Sequence, residues 1–225
     1  MLETSLEADT RELCQAGGRV VGSSGHEKAE RFVARRLQEV GCEAYRDQDF
    51  ALPYEVENQK FCNFAGIIPG RDRSLPPLLI GAHYDSVIPH PCADDNGAAV
   101  AICFALAEIV EQAGGLQRDL LVTIFDAEEP PYFQDVSMGS NRFYEDQLDG
   151  RGVQAAVVFD LVGHDLSLPV GLLSSQGMTE GTDAFLADIA GLLFMTGTES
   201  HPDLAGIVEG SEVPDGLGLA ATLND

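Results

Sequence analysis

Apolar residues recur at Ala29, Phe32, Val33, Leu37 and Val40. That is the i, i+3, i+4 rhythm of a helix with one face on a core, and it predicts a helix over 27–40. Gly41 follows where helices commonly end. Gly17, Gly18, Gly22 and Gly25 before it carry turn chemistry. They lack the GxGxxG spacing of a dinucleotide-binding loop. Strands are predicted over 43–49, 61–68 and 77–82, with Pro69-Gly70 and Pro76-Pro77 punctuating the last connection. Small apolar residues fill 97–113, as suits a helix packed closely on a sheet. A continuous apolar strand over 120–125 comes next, and a loop rich in Pro, Gly and Ser runs over 130–140. A short helix over 141–148, a strand over 154–160 and a helix over 181–195 complete the pattern. From Glu199 the chain is acidic and glycine-rich, with weak periodicity. Alternating strands and helices imply an α/β fold around a layered, mostly parallel sheet.

The chain has 225 residues, enough for one domain with a full core, so a single domain over 1–225 is expected. Its 13 basic and 37 acidic residues give a net charge of −24. That balance argues against binding nucleic acid or an anionic membrane and favours metal cations. Five cysteines, odd in number and without CxxC spacing, form neither a disulfide framework nor a zinc-finger pattern. The N-terminus shows no signal peptide, and no segment reaches the ~20 apolar residues of a membrane span, so a cytoplasmic protein is expected.

Three motifs sit where apolar strands run out. His83-Tyr84-Asp85 follows Leu78–Ala82 and precedes Ala93-Asp94-Asp95-Asn96-Gly97. Asp126-Ala127-Glu128-Glu129 follows Leu120–Phe125. Asp160 follows Val157-Val158-Phe159. Charged groups just past such strands lie on the rim of the sheet, where open α/β proteins hold their ligands. A hydrolytic two-metal site needs imidazole and carboxylate ligands, one of them shared, and a carboxylate that is not a ligand to take a proton from water. His83 can bind an ion, with Asp85 orienting its ring. Asp94 can bridge two ions, and Asp160 closes the site. Glu128 and Glu129 are adjacent, so extended backbone points them to opposite sides. Asp126 reads as a supporting or solvent-facing group and His26 as a surface residue.

Together, GAHYDS, ADDNG, DAEE and the strand-terminal Asp resemble metallopeptidase family 28, two-zinc aminopeptidases and exopeptidases with glutaminyl cyclases as relatives. Gly17-Gly18-Arg19-Val20-Val21-Gly22-Ser23, Ile67-Ile68-Pro69-Gly70 and Met138-Gly139-Ser140 also resemble that family's framework. The resemblance implies a three-layer α/β/α sandwich with a mixed, mostly parallel central sheet, like that of zinc-dependent exopeptidases. It implies that His83, Asp94 and Asp160 bind one zinc, with Asp94 bridging. Glu129 would bind the second zinc, Glu128 would act as general base and Asp85 would support catalysis. The reaction implied is hydrolysis of N-terminal peptide bonds, with a peptide or small peptide as substrate. Asp95 falls where the family often has a cis peptide bond, and Cys92 replaces the family's usual glycine.

In the family, a late Asp-His pair supplies a histidine to the second zinc, and no such pair occurs before Asp225. The sequence therefore reads as a peptidase domain lacking its last elements, with two zinc ions in the full-length family and only Asp94 and Glu129 left here for the second, so that one or two ions stay open. His90, His164 and His201 read as loop residues rather than replacements. Uncovered apolar surface predicts self-association into a homo-oligomer. Two other readings stay open: a glutaminyl cyclase-like acyltransferase using one zinc, and a non-catalytic domain that retains the fold.

Overall fold

A computed structural model describes residues 2–15, 17–45, 49–148 and 152–162, and the backbone of 192–198 and 218–224. The chain divides into two compact units, Met1–Gly163 and His164–Asp225.

The first unit is built on a mixed sheet of β1 (Glu43–Ala44), β2 (Ala51–Val56), β3 (Gln59–Ile68), β4 (Leu78–His83), β5 (Leu120–Phe125) and β6 (Ala155–Val158). The strand order is β1-β3-β5-β4-β6, with β2 also paired to β3. Pairings are parallel across β5-β4-β6 and antiparallel where β3 meets β1, β2 and β5. The antiparallel share exceeds what alternating strands and helices suggest, because β2 and β3 form a hairpin around Glu57 and Asn58, both at positive φ.

Helices cover both faces. On one side lie α1 (Leu2–Leu13), α2 (Ser24–Glu39) and α3 (Ala98–Gln112). Their core joins Phe32, Val33, Leu37, Val100 and Phe104 to Ile80, Val122 and Ile124. On the other side α4 (Gly139–Arg142) runs into a π-helical turn, Phe143–Leu148. There Phe143 and Leu148 pack on Leu79, Leu121 and Phe125. Alternate residues of β5 thus face opposite layers, as the period of a strand requires, and all six are buried. Covering a side chain such as Phe104 or Leu121 contributes roughly 1.5–3 kcal/mol.

The α2 sequence explains its limits. Ser23, extended at φ −83°, accepts a hydrogen bond from the His26 N–H and caps the first turn. Ala29, Phe32, Val33 and Leu37 form the buried stripe. The preceding α1 is held differently: Asp9 pairs with Arg36 at 2.9 Å, and Arg36 reaches Glu108 of α3 at 2.7 Å.

Of the strand expected over 43–49, Glu43–Ala44 is a strand and 46–48 lie outside the described residues, and a further strand forms at Ala51–Val56. Of the helix expected over 181–195, positions 181–191 lie outside the described residues, while Leu192–Thr198 is a strand, β7. In the second unit β7 pairs in parallel with β8 (Gly218–Asn224). Among the described residues no helix is long and apolar enough to cross a membrane.

Candidate metal centre

The sheet register brings the three motifs to one rim. His83 pairs with Phe125 at the last step of β4 and β5, so Asp85 and the Asp126–Glu129 segment leave the sheet side by side. Gly81 pairs with Val158 of β6, and two residues further on His83 and Asp160 meet. A wide π-type turn, Ala93–Gly97, leads into α3 and completes the ring.

His83 is 3% exposed. Its Nδ1 lies 3.2 Å from Oδ1 of the fully buried Asp85. The same carboxylate accepts the backbone N–H groups of Glu128 at 3.2 Å and Glu129 at 3.0 Å. Asp85 therefore fixes the imidazole and the Glu-Glu segment together. The other ring nitrogen, Nε2, is buried and makes no hydrogen bond. Around it stand Asp95 Oδ1 at 3.2 Å, Glu128 Oε2 at 3.6 Å and Asp160 Oδ1 at 3.6 Å. Glu129 is also buried, with Oε1 unpaired.

Orphaned buried polar atoms of this kind are costly, and a divalent cation satisfies them together. His83, Asp95 and Asp160 offer ligand atoms that all lie within 4.8 Å of one another. An imidazole and carboxylates form a donor set suited to zinc. Burial pushes the His83 pKa down, but the Asp160, Asp85 and Asp95 carboxylates outweigh it and lift it to about 12. Burial and the nearby Asp95 charge push Glu129 up to about 7. Burial also raises Glu128. The cluster thus carries excess negative charge that a metal cation would neutralise.

Asp95, next to the expected ligand Asp94, turns its carboxylate to His83 and joins His83 and Asp160 in the group of converging ligand atoms. Asp95 (φ −114°, ψ 89°) and Asn96 (φ −134°, ψ 35°) depart from helical geometry within the turn. A cis peptide bond joins Asp95 to Asn96. His83, Asp160, Glu128, Glu129 and Asp85 all gather at the rim. Of the three histidines considered as replacements, His90 is exposed in the loop after β4, and His164 and His201 lie outside the described residues.

Sequence reasoning overlooked several supports. Asn96 is fully buried and donates to the Phe159 carbonyl at 2.9 Å, tying the turn to the segment bearing Asp160. His26, expected on the surface, is 3% exposed. It stacks on Tyr84 and donates from Nε2 to Asp126 at 2.7 Å. Asp126 is itself buried and also accepts the backbone N–H groups of Cys62 and Ala127. That pair anchors the base of the Glu128-Glu129 segment. The only hint in the sequence is the position of His26 just inside a capped helix.

Similar architecture occurs in solved structures. A Zn-dependent exopeptidase from Parabacteroides distasonis matches with a TM-score of 0.65 and 17% identity, over 99% of this chain and 77% of that one. A leucine aminopeptidase precursor from Bacteroides thetaiotaomicron matches with a TM-score of 0.66 and 16% identity, over 99% and 78%. A glutaminyl cyclase from Tannerella forsythia matches with a TM-score of 0.57 and 22% identity, over 73% of this chain. This chain spans 63% of that cyclase's length. No curated protein matches the sequence. At these identities the likeness is one of fold. The model of peptidase family M28 matches residues 63–204, more than half of the sequence, and the chain belongs to that family.

Proposed function

We propose that the protein is a zinc-dependent exopeptidase acting as an aminopeptidase. The observation that supports this best is the unpaired Nε2 of His83 facing Asp95, Asp160 and Glu128. His83, Asp95 and Asp160 would hold one zinc, and Asp95 with Glu129 would serve a second. Zinc bound there supplies Lewis acidity toward the scissile carbonyl and makes water a stronger acid. Asp85 keeps His83 in the tautomer that presents Nε2 to the centre. Glu128, kept close by the hydrogen bond from its backbone N–H to Asp85, accepts the proton of the attacking water and passes it to the departing amine. The acidic surroundings favour a substrate with a free, positively charged N-terminus.

A one-zinc acyl transfer, as in a glutaminyl cyclase, is the second reading. It is favoured because His83, Asp95 and Asp160 form one converging three-residue set, while no group with Glu129 converges in the same way among the described residues. Fewer than three protein ligands hold a divalent ion weakly.

The test combines metal content with product identity. Plasma mass spectrometry after dialysis against a weak chelator counts zinc per chain. Incubation with a peptide bearing N-terminal leucine, and separately with one bearing N-terminal glutamine, gives free amino acid for a peptidase or pyroglutamyl peptide and ammonia for a cyclase. Glu128→Gln is expected to retain zinc and lose roughly 10²–10⁴-fold of the activity. A wild-type chain that takes up no zinc removes both readings.

A further inference from the structure

Arg19 is a charged side chain at 1% exposure that makes no ion pair among the described residues. Its fork is spent on backbone instead. Nε donates to the Tyr84 carbonyl at 2.6 Å, Nη1 to Pro91 at 2.6 Å and Nη2 to Cys92 at 3.0 Å. Nη1 also lies 3.5 Å from Cys14 Sγ. The Arg19 backbone N–H donates to Ser86 Oγ at 2.8 Å, and the Ser86 N–H returns a bond to the Arg19 carbonyl at 3.3 Å. Gly18, at φ +67°, allows this approach, since a Cβ there would come 2.5 Å from the Ile88 carbonyl oxygen.

These partners are not scattered. Tyr84 directly follows His83, and Pro91 and Cys92 close the same loop just before the turn that carries Asp95. One planar guanidinium therefore grips both ends of the loop that separates two of the converging ligand groups. A buried cation needs compensation. Here three carbonyl dipoles, from Tyr84, Pro91 and Cys92, converge on the guanidinium and supply it. A lysine has one nitrogen and cannot span three carbonyls in one plane.

We infer that Arg19 is a positioning residue of the metal centre, fixing the span of the Tyr84–Cys92 loop so that His83 and Asp95 meet the same ion. This rests on the metal reading above. Arg19 touches no reacting atom; it acts through the loop it holds.

The test uses the full chain and zinc itself as the probe. Zinc affinity is measured by competition with a chelating dye for wild type, Arg19→Lys, Arg19→Ala and a core control, Leu37→Ala, with folding followed by circular dichroism in chelator. Both Arg19 variants are expected to bind zinc roughly 10- to 100-fold more weakly, with Leu37→Ala within about twofold of wild type. Millimolar guanidinium is expected to enter the vacated site and restore affinity to Arg19→Ala but not to Arg19→Lys. Folded Arg19 variants that bind zinc as wild type does overturn the inference. So does an equal loss in Leu37→Ala, which would mark a general effect of destabilisation. If Arg19→Ala does not fold, Arg19→Lys decides. If neither folds, Arg19 is a structural clamp and nothing more. Wild type that binds no zinc overturns the metal reading as well, so the two failures are told apart.

Discussion

Asp85 and His83 are 3.2 Å apart at the end of one strand, yet the Asp85 carboxylate also accepts the N–H groups of Glu128 and Glu129 from the next. Both of its oxygens are engaged and it is fully buried. An amide in its place offers one acceptor oxygen and brings an N–H₂ group against a backbone donor. Asp85→Asn should therefore loosen the imidazole and the Glu-Glu segment at once. The expected result is a roughly 10- to 100-fold loss of zinc affinity with the fold retained. Equilibrium dialysis against zinc measures it, and unchanged affinity would show that the ring needs no such partner.

How much of this was readable in advance depended on whether burial or local backbone decided each element. The continuous apolar runs Leu78–His83 and Leu120–Phe125 betrayed central strands because both of their faces are covered. Their ends then located the rim. Ala51–Val56 escaped because Pro53 argues against a strand, a penalty that lapses at an edge, where β2 pairs with β3 alone among the described residues. The α1 helix escaped because its buried face mixes Leu13 with Asp9, which pairs with Arg36, so no apolar stripe announces it. His26 looked superficial because nothing in the local pattern announces Tyr84 and Asp126 above it.

Asp94 and Asp95 are a case where sequence cannot decide, since identical neighbours differ only in where the turn points them. Asp95→Asn is expected to weaken zinc binding by more than about 100-fold, because it loses a carboxylate in contact range of His83. Asp94→Asn should stay within a few-fold of wild type. Parallel metal titrations of the two variants give the answer. The reverse ranking would return the ligand role to Asp94.

The His26–Asp126 pair makes a prediction about pH. Burial lowers the His26 pKa, but the hydrogen bond and charge of Asp126 more than offset it, so the net shift is upward from 6.5. A folded-state pKa above the unfolded one means that the contribution to stability is full below about pH 6.5. It is lost as pH rises through the folded value. Breaking a buried pair of this kind costs about 3–5 kcal/mol, so His26→Ala should be destabilised by a few kcal/mol at pH 6. The gap to wild type should narrow by pH 9. Urea unfolding of both proteins at the two pH values tests this, and a gap that widens with pH would contradict the assigned direction.

Cys92 holds φ at +44°, in the left-handed region that favours glycine, at the entrance to the turn that carries Asp95. A side chain there costs about 1–2 kcal/mol, whereas glycine adopts the conformation freely. Glycine also enlarges the unfolded ensemble, which takes back roughly 0.4–1 kcal/mol. The balance predicts that Cys92→Gly stabilises the protein by up to about 1 kcal/mol, a rise in Tm of about 2–4 °C for a chain of this size. The carbonyl of residue 92 still receives Arg19 Nη2, so the grip on the loop is unaffected. Cys92→Ala keeps the Cβ and should change little, and Cys92→Val, branched at Cβ, should be the least stable of the three. Thermal unfolding in the presence of chelator separates backbone strain from metal binding. A glycine variant less stable than the alanine variant would mean that residue 92 is held by its side chain rather than tolerated despite it.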